Sequence, residues 1–296
     1  MRQSPMKKTD ISIIIVSYNT RELLDRCLNS VYKGLTDSDL NFEVIVVDNA
    51  STDGSVEMLT QKYLQVKLIK NTTNVGFGRA NNQGAEMARG KQLLFLNSDI
   101  IVLDRAIVKL SEYGKTWPQA VIGGKLFNPD RSPQTSCGPA YSLPNIFVAL
   151  FLKGDYLNLT RYSPQQIKQV DWVMGACMLM SKEMFLRVGK FDEGIFMYME
   201  EIDFAHRAQK LGAKIYFYPD AHFIHVGAAS SHGRANPILN VFRGLIYYYN
   251  KHGSSAQKLL LRILLLLKAV SAIILFSLMG KKYDRDIYIK ALVLVI

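Results

Sequence analysis

Two adjacent glutamates, Glu200 and Glu201, are the side chains of this chain best suited to acid–base chemistry, and Asp203 follows two residues later. They open a predicted helix directly after a loop broken by glycine. Carboxylates crowded in this way repel one another, so at least one should have a raised pKa. A general base that works near neutral pH needs such a shift. Because Asp99 and His225 each follow an apolar strand, the sequence predicts a metal-assisted group-transfer site.

Apolar runs and helical spacing alternate over the first hundred residues, and they predict the elements that position these side chains. The predicted strands are 11–16, 42–47, 66–69 and 92–96, and the predicted helices are 21–32, 56–63 and 78–89. The strand runs are continuously apolar, which is typical of buried parallel strands. This βαβαβαβ order predicts an α/β fold whose parallel sheet binds ligands at the carboxyl ends of its strands.

The rest of the chain divides into an insert, two further strands and a tail. Five prolines punctuate residues 128–170, which we predict to be loop-rich and to line an acceptor groove. Further strands are predicted at 170–180 and 214–218. We expect the catalytic domain to cover residues 1–235 and an amphipathic or hydrophobic helical tail to cover 236–296.

Basic residues are concentrated in the tail. The chain has 36 Lys and Arg against 25 Asp and Glu, a net charge of +11. Ten of the basic side chains but two of the acidic ones follow residue 230. Because they are embedded among Leu and Ile, they favour an anionic membrane surface as a partner over nucleic acid. Three tyrosines at 247–249 add the aromatic rings that favour a membrane interface.

The apolar segment 259–279 would be about 31 Å long as a helix, which nearly matches a bilayer. Arg262 and Lys268 lie inside it, and a basic residue at the centre of a span costs about 2.5–3.5 kcal/mol. Lys251, Lys258 and Arg262 fall on one narrow helical stripe. This pattern favours a helix in the plane of the membrane over a spanning helix. The alternative is a helix docked on the core or one that forms a homo-oligomer.

The cysteines and the N-terminus indicate the compartment. Cys27, Cys137 and Cys177 have no close pairing or metal spacing, which argues against a disulfide framework and favours a reducing compartment. The apolar run at 11–16 is too short for the core of a signal peptide. We therefore expect the protein at the cytoplasmic face of the inner membrane, held there as a peripheral or monotopic protein.

Seven polar segments occur in the order typical of one enzyme family. They are residues 17–19, 47–55, 74–82, 96–99, 175–177, 200–203 and 225–230. Over roughly residues 10–235 they resemble the inverting family-2 glycosyltransferases of GT-A fold. The subgroup they resemble most is the rhamnosyltransferase-like bacterial enzymes of cell-surface polysaccharide assembly. Each segment alone is a weak signal, but the ordered set is specific.

The resemblance implies that a nucleotide-diphosphate sugar binds at the ends of the first four strands. Asp48 would accept a hydrogen bond from the pyrimidine base, with Ser17 and Asn19 beside it, although a strand-end Asp commonly caps a turn. Gly76 and Gly78 would let backbone N–H groups approach the donor at a helix N-terminus.

The resemblance also implies a divalent metal. Residues 97–99 stand where the family has an Asp-x-Asp motif, with Asn97 in place of the first Asp. Asp99 would then ligate Mg²⁺ or Mn²⁺, and His225 would add a nitrogen ligand. Arg79 either contacts the donor phosphates or is a surface side chain.

Glu201 aligns with the catalytic base of the family, where Asp is usual, and Glu200 is the alternative. The implied activity is transfer of a sugar from a nucleotide-diphosphate sugar, such as dTDP-rhamnose or a UDP-sugar, to a hydroxyl of a lipid-linked saccharide. A sugar nucleotidyltransferase would need a glycine-rich loop after the first strand, which residues 17–20 lack. A non-catalytic, membrane-attached sugar-nucleotide-binding scaffold would not need the acidic cluster.

Overall fold

The computed structural model describes residues 8–227 and 237–296, and a nine-stranded sheet organises them. The strands are β1 (Ile11–Ser17), β2 (Phe42–Asp48), β3 (Lys67–Lys70), β4 (Gln92–Asn97), β5 (Ile100–Val102), β6 (Ala120–Phe127), β7 (Cys137–Gly138), β8 (Lys168–Gln169), β9 (Trp172–Val173), β10 (Cys177–Ser181) and β11 (Lys214–His225). The helices are α1 (Arg21–Leu35), α2 (Ser55–Lys62), α3 (Phe77–Met87), α4 (Ala106–Thr116), α5 (Leu143–Phe151), α6 (Lys182–Val188), α7 (Glu200–Lys210), α8 (Pro237–His252), α9 (Ser255–Leu278) and α10 (Lys282–Val295).

The sheet is mixed, with a parallel half that carries the predicted motifs. Its order is β3-β2-β1-β4-β10-β6-β11-β5, and β8 pairs with β11. β3, β2, β1 and β4 are parallel, whereas β10 runs antiparallel between β4 and β6. β1 is buried along almost its whole length, as a parallel strand between two helical layers must be.

The four strands and three helices predicted in the first hundred residues are confirmed, with bounds shifted by one to three residues. β1, β2 and β4 each continue one residue further than predicted, to Ser17, Asp48 and Asn97. These polar residues are therefore still paired with a neighbouring strand, and this pairing fixes their backbone positions.

The prediction that residues 128–170 are loop-rich is wrong for α5. Ser142 caps this helix, since its Oγ accepts a hydrogen bond from Asn145 N, and Pro144 stands in the first turn, where its missing N–H costs nothing. The segment shows no clear apolar period because its residues are apolar on nearly every side.

Two predicted strands have different extents in the structure. Residues 170–180 form two strands, because a turn closed by the bond from Cys177 N to Met174 O separates β9 from β10. β11 continues past 218 to His225, through a register shift between Tyr218 and His222. The longer strand carries His225 to the same end of the sheet as Asp99.

An apolar layer covers each face of the sheet. α1, α2 and α4 pack on one face, and α3, α6, α7 and the tail helices pack on the other. In the second layer Phe95 of β4 lies 5.0 Å from both Phe185 and Phe191, measured between ring centroids. This aromatic cluster joins the central strand to the segment that leads into α7.

The tail is helical, but the predicted basic stripe is wrong. α8 ends at His252, and Ser254 begins α9 with a capping box to Gln257. Lys251 therefore lies on a different helix from Lys258 and Arg262. The interface role of the tyrosines is also wrong for Tyr248 and Tyr249, which are buried in the core.

Both basic residues inside the apolar segment are held by helix ends. Arg262 Nη1 donates to Val295 O at 2.8 Å, and Lys268 Nζ donates to Leu150 O at 2.8 Å. These carbonyls lie in the last turns of α10 and α5, which lack intrahelical donors and attract positive charge. The positive charges of Arg262 and Lys268 therefore lie at the C-terminal ends of two helices, where positive charge is favourable.

One side of α9 packs on the protein and the other is exposed. Leu261, Leu265 and Ala269 are buried. The exposed side bears Leu259, Leu260, Ile263, Leu266, Leu267, Val270, Ile274, Leu275 and Leu278. Among the helices described, α9 alone has the length and composition to suit a bilayer. The predicted domain boundary at residue 235 lies outside the described residues and stays a prediction.

Candidate active site

The carboxyl ends of β1, β2 and β4 meet at one edge of the sheet, beside a cavity of about 470 Å³. The parallel register places Ser17 opposite Asp48 and Val16 opposite Asn97. Five of the predicted site residues line this cavity: Asn97, Asp99, Glu200, Glu201 and His225. Residues separated by more than a hundred positions in the chain are thus brought to one site.

Asp99 and His225 face each other across this cavity. Asp99 Oδ1 lies 3.4 Å from His225 Nε2, and both side chains are about nine-tenths buried. Asp99 Oδ2 accepts a hydrogen bond from Gly227 N at 2.9 Å, which fixes the carboxylate. Burial lowers the pKa of His225, although the charge of Asp99 opposes the shift. The imidazole is therefore neutral near pH 7.

Gln134 determines which nitrogen of His225 carries the proton. The Gln134 amide nitrogen donates to Asn128 Oδ1 at 2.9 Å and to the main-chain oxygen of His225 at 3.4 Å. Since those atoms only accept, Gln134 Oε1 must be the atom 2.7 Å from His225 Nδ1. Nδ1 therefore carries the hydrogen, and Nε2 is an acceptor that receives a hydrogen bond from Asn97 Nδ2 at 3.3 Å and lies 3.4 Å from Asp99 Oδ1.

Two acceptors turned toward each other suit a cation. A carboxylate oxygen and an imidazole nitrogen are ligands that Mn²⁺ accepts, and Mg²⁺ takes the carboxylate. Asn97 Oδ1, in the same cluster, is buried without a hydrogen-bond partner. Within the described ranges no group of three or more His, Cys, Asp or Glu side chains could hold a metal. Asp99 and His225 would thus need oxygen atoms of a bound substrate or of water to complete a shell.

The two glutamates begin α7 after a strained turn. Tyr198 and Met199 both adopt left-handed conformations, with φ of 65° and 77°, which residues with a Cβ rarely do. Gly244 of α8 packs against this turn, because a Cβ there would lie 2.6 Å from Met199 Cγ. The tail therefore helps to hold the turn that aims the glutamates into the cavity.

The negative charges of Glu200 and Glu201 are poorly compensated by hydrogen bonds or cations. Burial, and then the charge of Glu201, raises the pKa of Glu200 well above its ordinary value, and Glu200 Oε2 has no hydrogen-bond partner. Burial also raises the pKa of Glu201, while backbone N–H groups and the charge of Arg161 oppose that rise. The pair thus has the raised pKa that the sequence predicts for a general base.

Asp203, in the first turn of α7, does not line the cavity and lies in a different setting. Its fully buried carboxylate accepts hydrogen bonds from Arg207 Nε at 2.7 Å, Lys251 Nζ at 2.8 Å and His252 Nε2 at 2.8 Å. Burial alone would raise the pKa of Asp203, but the bonds from Lys251 and His252 hold it below its ordinary value. Asp203 therefore ties α7 to the end of α8.

The residues predicted to hold the nucleotide base lie just behind the cavity lining. Asp48 Oδ2 accepts a bond from Ser51 N at 2.9 Å, while Asp48 Oδ1 is buried without a partner. Ser17 Oγ lies 3.0 Å from Thr20 Oγ1. Asn19 Oδ1 accepts a bond from Thr52 N at 2.8 Å. Asn19 thus joins the loops after β1 and β2, the Ser17 side chain bonds within the loop after β1, and Asp48 keeps one open acceptor.

Gly76, Gly78 and Arg79 do not line the cavity. A Cβ at Gly76, whose φ is 88°, would lie 2.6 Å from Phe196 O, and one at Gly78 would lie 3.2 Å from Phe191 Cβ. These glycines let the segment before α7 close on α3. Arg79 forms an exposed ion pair with Glu193 at 3.5 Å, which is the surface placement that the sequence left open.

Arg161 was missed by sequence reasoning. It comes from the proline-rich insert, where neither motif nor periodicity marks it, yet it lines the cavity with Glu201. Gln134 was missed for the same reason. Asn49 and Asn74 also line the cavity, and Asn49 Nδ2 donates to Asn74 Oδ1 at 3.2 Å. The segments 47–55 and 74–82 were the signal that could have identified these two.

The chain belongs to glycosyl transferase family 2, whose model matches residues 12–185. It is similar to the N-acetylglucosaminyl-diphospho-decaprenol L-rhamnosyltransferase of Mycobacterium tuberculosis, with 29% identity over 75% of this chain and 78% of the relative. It is also similar to rhamnosyltransferase WbbL of Escherichia coli K12, with 28% identity over 73% of this chain and 83% of the relative. The predicted family and its inverting glycosyl transfer are thereby confirmed.

A solved structure supports the fold. GalNAc-T7, crystallised with UDP, GalNAc and Mn²⁺, superposes with a TM-score of 0.61 over 82% of this chain and 50% of that protein, at 17% identity. At this identity the similarity shows the fold alone. The predicted GT-A fold is confirmed.

Proposed function

We propose that this chain transfers a sugar from a nucleotide-diphosphate donor to a hydroxyl of a lipid-linked saccharide, with inversion at the anomeric carbon. One observation carries the proposal. A single cavity holds the poorly compensated pair Glu200 and Glu201 together with the facing acceptors of Asp99 and His225. The first pair suits proton abstraction from a hydroxyl, and the second suits a cation on a diphosphate.

The relatives support the choice of substrates. Two of them are rhamnosyltransferases, and one is named for an N-acetylglucosaminyl-diphospho-decaprenol acceptor. We therefore propose dTDP-rhamnose or a UDP-sugar as donor. The open Asp48 Oδ1 would accept the N–H of a pyrimidine, beside Ser17 and Asn19. Gly76 and Gly78 would shape the loop over the donor.

Asp99 and His225 would hold Mg²⁺ or Mn²⁺, with Asn97 beside them and Gln134 fixing the imidazole. When bound there, a divalent ion neutralises negative charge on the departing diphosphate. Arg79, already paired with Glu193, would contact the donor only through rearrangement of that exposed pair.

Glu201 would act as the base. Its carboxylate accepts the proton of the acceptor hydroxyl while that oxygen forms a bond to C1 of the donor sugar. The bond from C1 to the diphosphate oxygen breaks, and its electron pair leaves with the diphosphate. One displacement inverts the anomeric centre without a covalent sugar–enzyme intermediate. Burial raises the basicity of Glu201, and Glu200, next to it, holds its proton more tightly because of burial and the charge of Glu201.

We also propose that α9 attaches the enzyme to the cytoplasmic face of the inner membrane. The exposed side of α9 is apolar, and Arg262 and Lys268 are turned to helix-end carbonyls. Lys281 and Lys282 are exposed at the turn after α9, where they would contact anionic headgroups. A helix with one buried and one apolar exposed side suits a peripheral or monotopic protein.

The double substitution Leu267→Glu with Leu275→Glu tests this attachment. Both side chains are 53% exposed, so the fold should persist while sedimentation with anionic vesicles is lost. Leu64→Glu, at an 82% exposed position between α2 and β3, is the matched control and should sediment normally. A soluble homo-oligomer that covers this face without vesicles would contradict the proposal.

Product analysis tests the transfer itself. The protein is incubated with dTDP-rhamnose or UDP-sugars, Mn²⁺ and an alkyl-diphospho-N-acetylglucosamine acceptor. We expect release of nucleoside diphosphate and a glycosylated lipid of inverted configuration. Release of pyrophosphate would indicate nucleotidyl transfer instead, and a folded protein that binds donors but releases neither product would be a scaffold.

A further inference from the structure

A second cavity adjoins the active site. It has a volume of about 250 Å³ and lies between α5 and α8. Its walls are mainly apolar and include Ile146, Ala149, Val241 and Leu245. Arg161 lines both this cavity and the active-site cavity, so the two spaces meet at one guanidinium group.

The contacts of Arg161 orient its guanidinium group in a way that suits anion binding. Its Nη2 donates to the hydroxyl of Tyr141 at 3.1 Å, its Nε lies 3.6 Å from Asp155 Oδ2, and its guanidinium stacks over the ring of Trp172. Those contacts leave part of its five-donor fork without a partner among the described residues. A planar fork of this kind recognises phosphate groups.

One wall of the second cavity is also bonded to α9, the helix that carries the exposed apolar side. Leu150 lines the cavity, and its carbonyl accepts the hydrogen bond from Lys268 of α9. An amphiphile that leaves the membrane beside α9 would thus reach the apolar cavity first, then Arg161, and finally Glu201.

We infer that the second cavity binds the first hydrocarbon units of a lipid-diphosphate acceptor, and that Arg161 binds its diphosphate. This inference rests on the proposed function and names how that acceptor is held. Asp155 shares Arg161 in the absence of acceptor and would be displaced from it by the diphosphate.

Binding of alkyl diphosphates tests the inference without any turnover. Dodecyl diphosphate should bind more tightly than ethyl diphosphate, because each buried methylene adds about fourfold in affinity. Ala149→Phe fills the cavity and should remove most of this difference. Ala256→Phe, on the exposed first turn of α9, is the matched control and should keep it. Thermal unfolding confirms that both variants are folded.

Two variants at the polar end of the second cavity show whether Arg161 binds the diphosphate of the acceptor or that of the donor. Arg161→Gln should raise KM for alkyl-diphospho-saccharide acceptors by about tenfold or more, as loss of a charged hydrogen bond does, and leave donor KM unchanged. Asp155→Asn should lower acceptor KM. A raised donor KM with an unchanged acceptor KM would assign Arg161 to the donor and overturn the inference.

Chain-length data distinguish this inference from the proposed function. If Ala149→Phe keeps the wild-type preference for dodecyl over ethyl diphosphate, the second cavity is not the hydrocarbon site. If that preference is lost in the variant but no donor supports transfer, the inference holds and the proposed function fails.

Discussion

The first turn of α7 holds carboxylates in two opposite environments, inside the cavity and away from it. On the cavity face, Glu200 keeps one oxygen without a hydrogen bond, and burial raises its pKa and that of Glu201. Away from the cavity, Asp203 is also buried, but three cationic or imidazole side chains bond to it and its pKa is lowered.

Within four residues of one helix, one carboxylate is therefore suited to holding the fold together and two are suited to proton transfer. A buried carboxylate that is fully paired contributes to folding, whereas one left poorly compensated costs stability and is retained where a base is needed. Asp203 and Arg207 form an ion pair at 2.7 Å with the i,i+4 spacing typical of a helix. Its links to α8 show that the tail is fastened directly behind the proposed base.

Glu201→Gln should have the largest effect on activity. The substitution keeps the size of the side chain and removes the proton acceptor, so turnover should fall by about 10²–10⁴-fold. Initial rates at saturating donor and acceptor measure it. Because burial raises the pKa of Glu201, wild-type activity should fall as the pH is lowered through that raised pKa, and this acidic limb should vanish in the variant.

Glu200→Gln is the matched control for that experiment. A larger loss of turnover in Glu200→Gln than in Glu201→Gln would move the base by one residue. Wild-type rates in both variants would refute proton abstraction at this end of α7.

Asp203→Asn should weaken the network of ion pairs around Asp203. Removing one member of a buried ionic network leaves its partners uncompensated and costs about 3–5 kcal/mol, measured by urea unfolding. Since the folded pKa of Asp203 is lowered, its contribution is present above its unfolded pKa and is lost as the pH falls toward the folded value. Turnover per folded molecule should stay within a few fold. Unchanged unfolding would show that the link to α8 is energetically neutral.

Gln134→Leu tests the imidazole orientation. Without an acceptor at Nδ1, His225 can adopt the other tautomer, and the loss of such a partner typically weakens metal affinity by about 10–100-fold. Mn²⁺ titration of donor binding measures the change. Gln165→Leu, which removes a bond to Lys125 instead, is the control. Equal Mn²⁺ affinities in the two variants would contradict the assigned tautomer.

Glu200→Gln should also stabilise the fold at pH 7, which is the smallest effect. A carboxyl whose folded pKa is raised binds its proton more tightly in the folded state, so stability falls as the pH rises above the unfolded pKa. The neutral amide removes that loss. We expect a higher Tm than wild type at pH 7 and a difference that vanishes near pH 4. A lower Tm at pH 7 would mean that Glu200 has a stabilising partner.

The parallel half of the sheet and the order of the site are predictable from the sequence. Short apolar runs that alternate with segments of helical spacing predict buried parallel strands, and the ends of parallel strands must meet at one edge. This is why strand-end and helix-start positions suffice to predict that Asp99 and Glu201 lie at the same cavity. The motif segments that contain Asn49 and Asn74 lie at the same edge.

The rest depends on tertiary contacts that leave no periodic signal. Arg161 and Gln134 come from an irregular insert, and their positions follow from what that insert packs against. The prediction of a basic stripe is wrong because the helix break at Gly253 places Lys251 on α8, where Asp192 and Asp203 bind it. Helical spacing holds only within one helix, and a Gly-Ser pair is a weak boundary signal.

Calorimetric binding of the donor nucleotide with Mn²⁺ tests the central claim most directly, namely that one cavity holds a base and a separate diphosphate-metal pair. Wild type, Glu201→Gln and Asp99→Asn are titrated with UDP and dTDP, with and without Mn²⁺. We predict that Glu201→Gln binds as wild type does despite its lost turnover, and that binding to Asp99→Asn loses its Mn²⁺ dependence. If Glu201→Gln weakens nucleotide binding as much as turnover, or if Asp99→Asn keeps the full Mn²⁺ effect, the two roles are wrongly assigned.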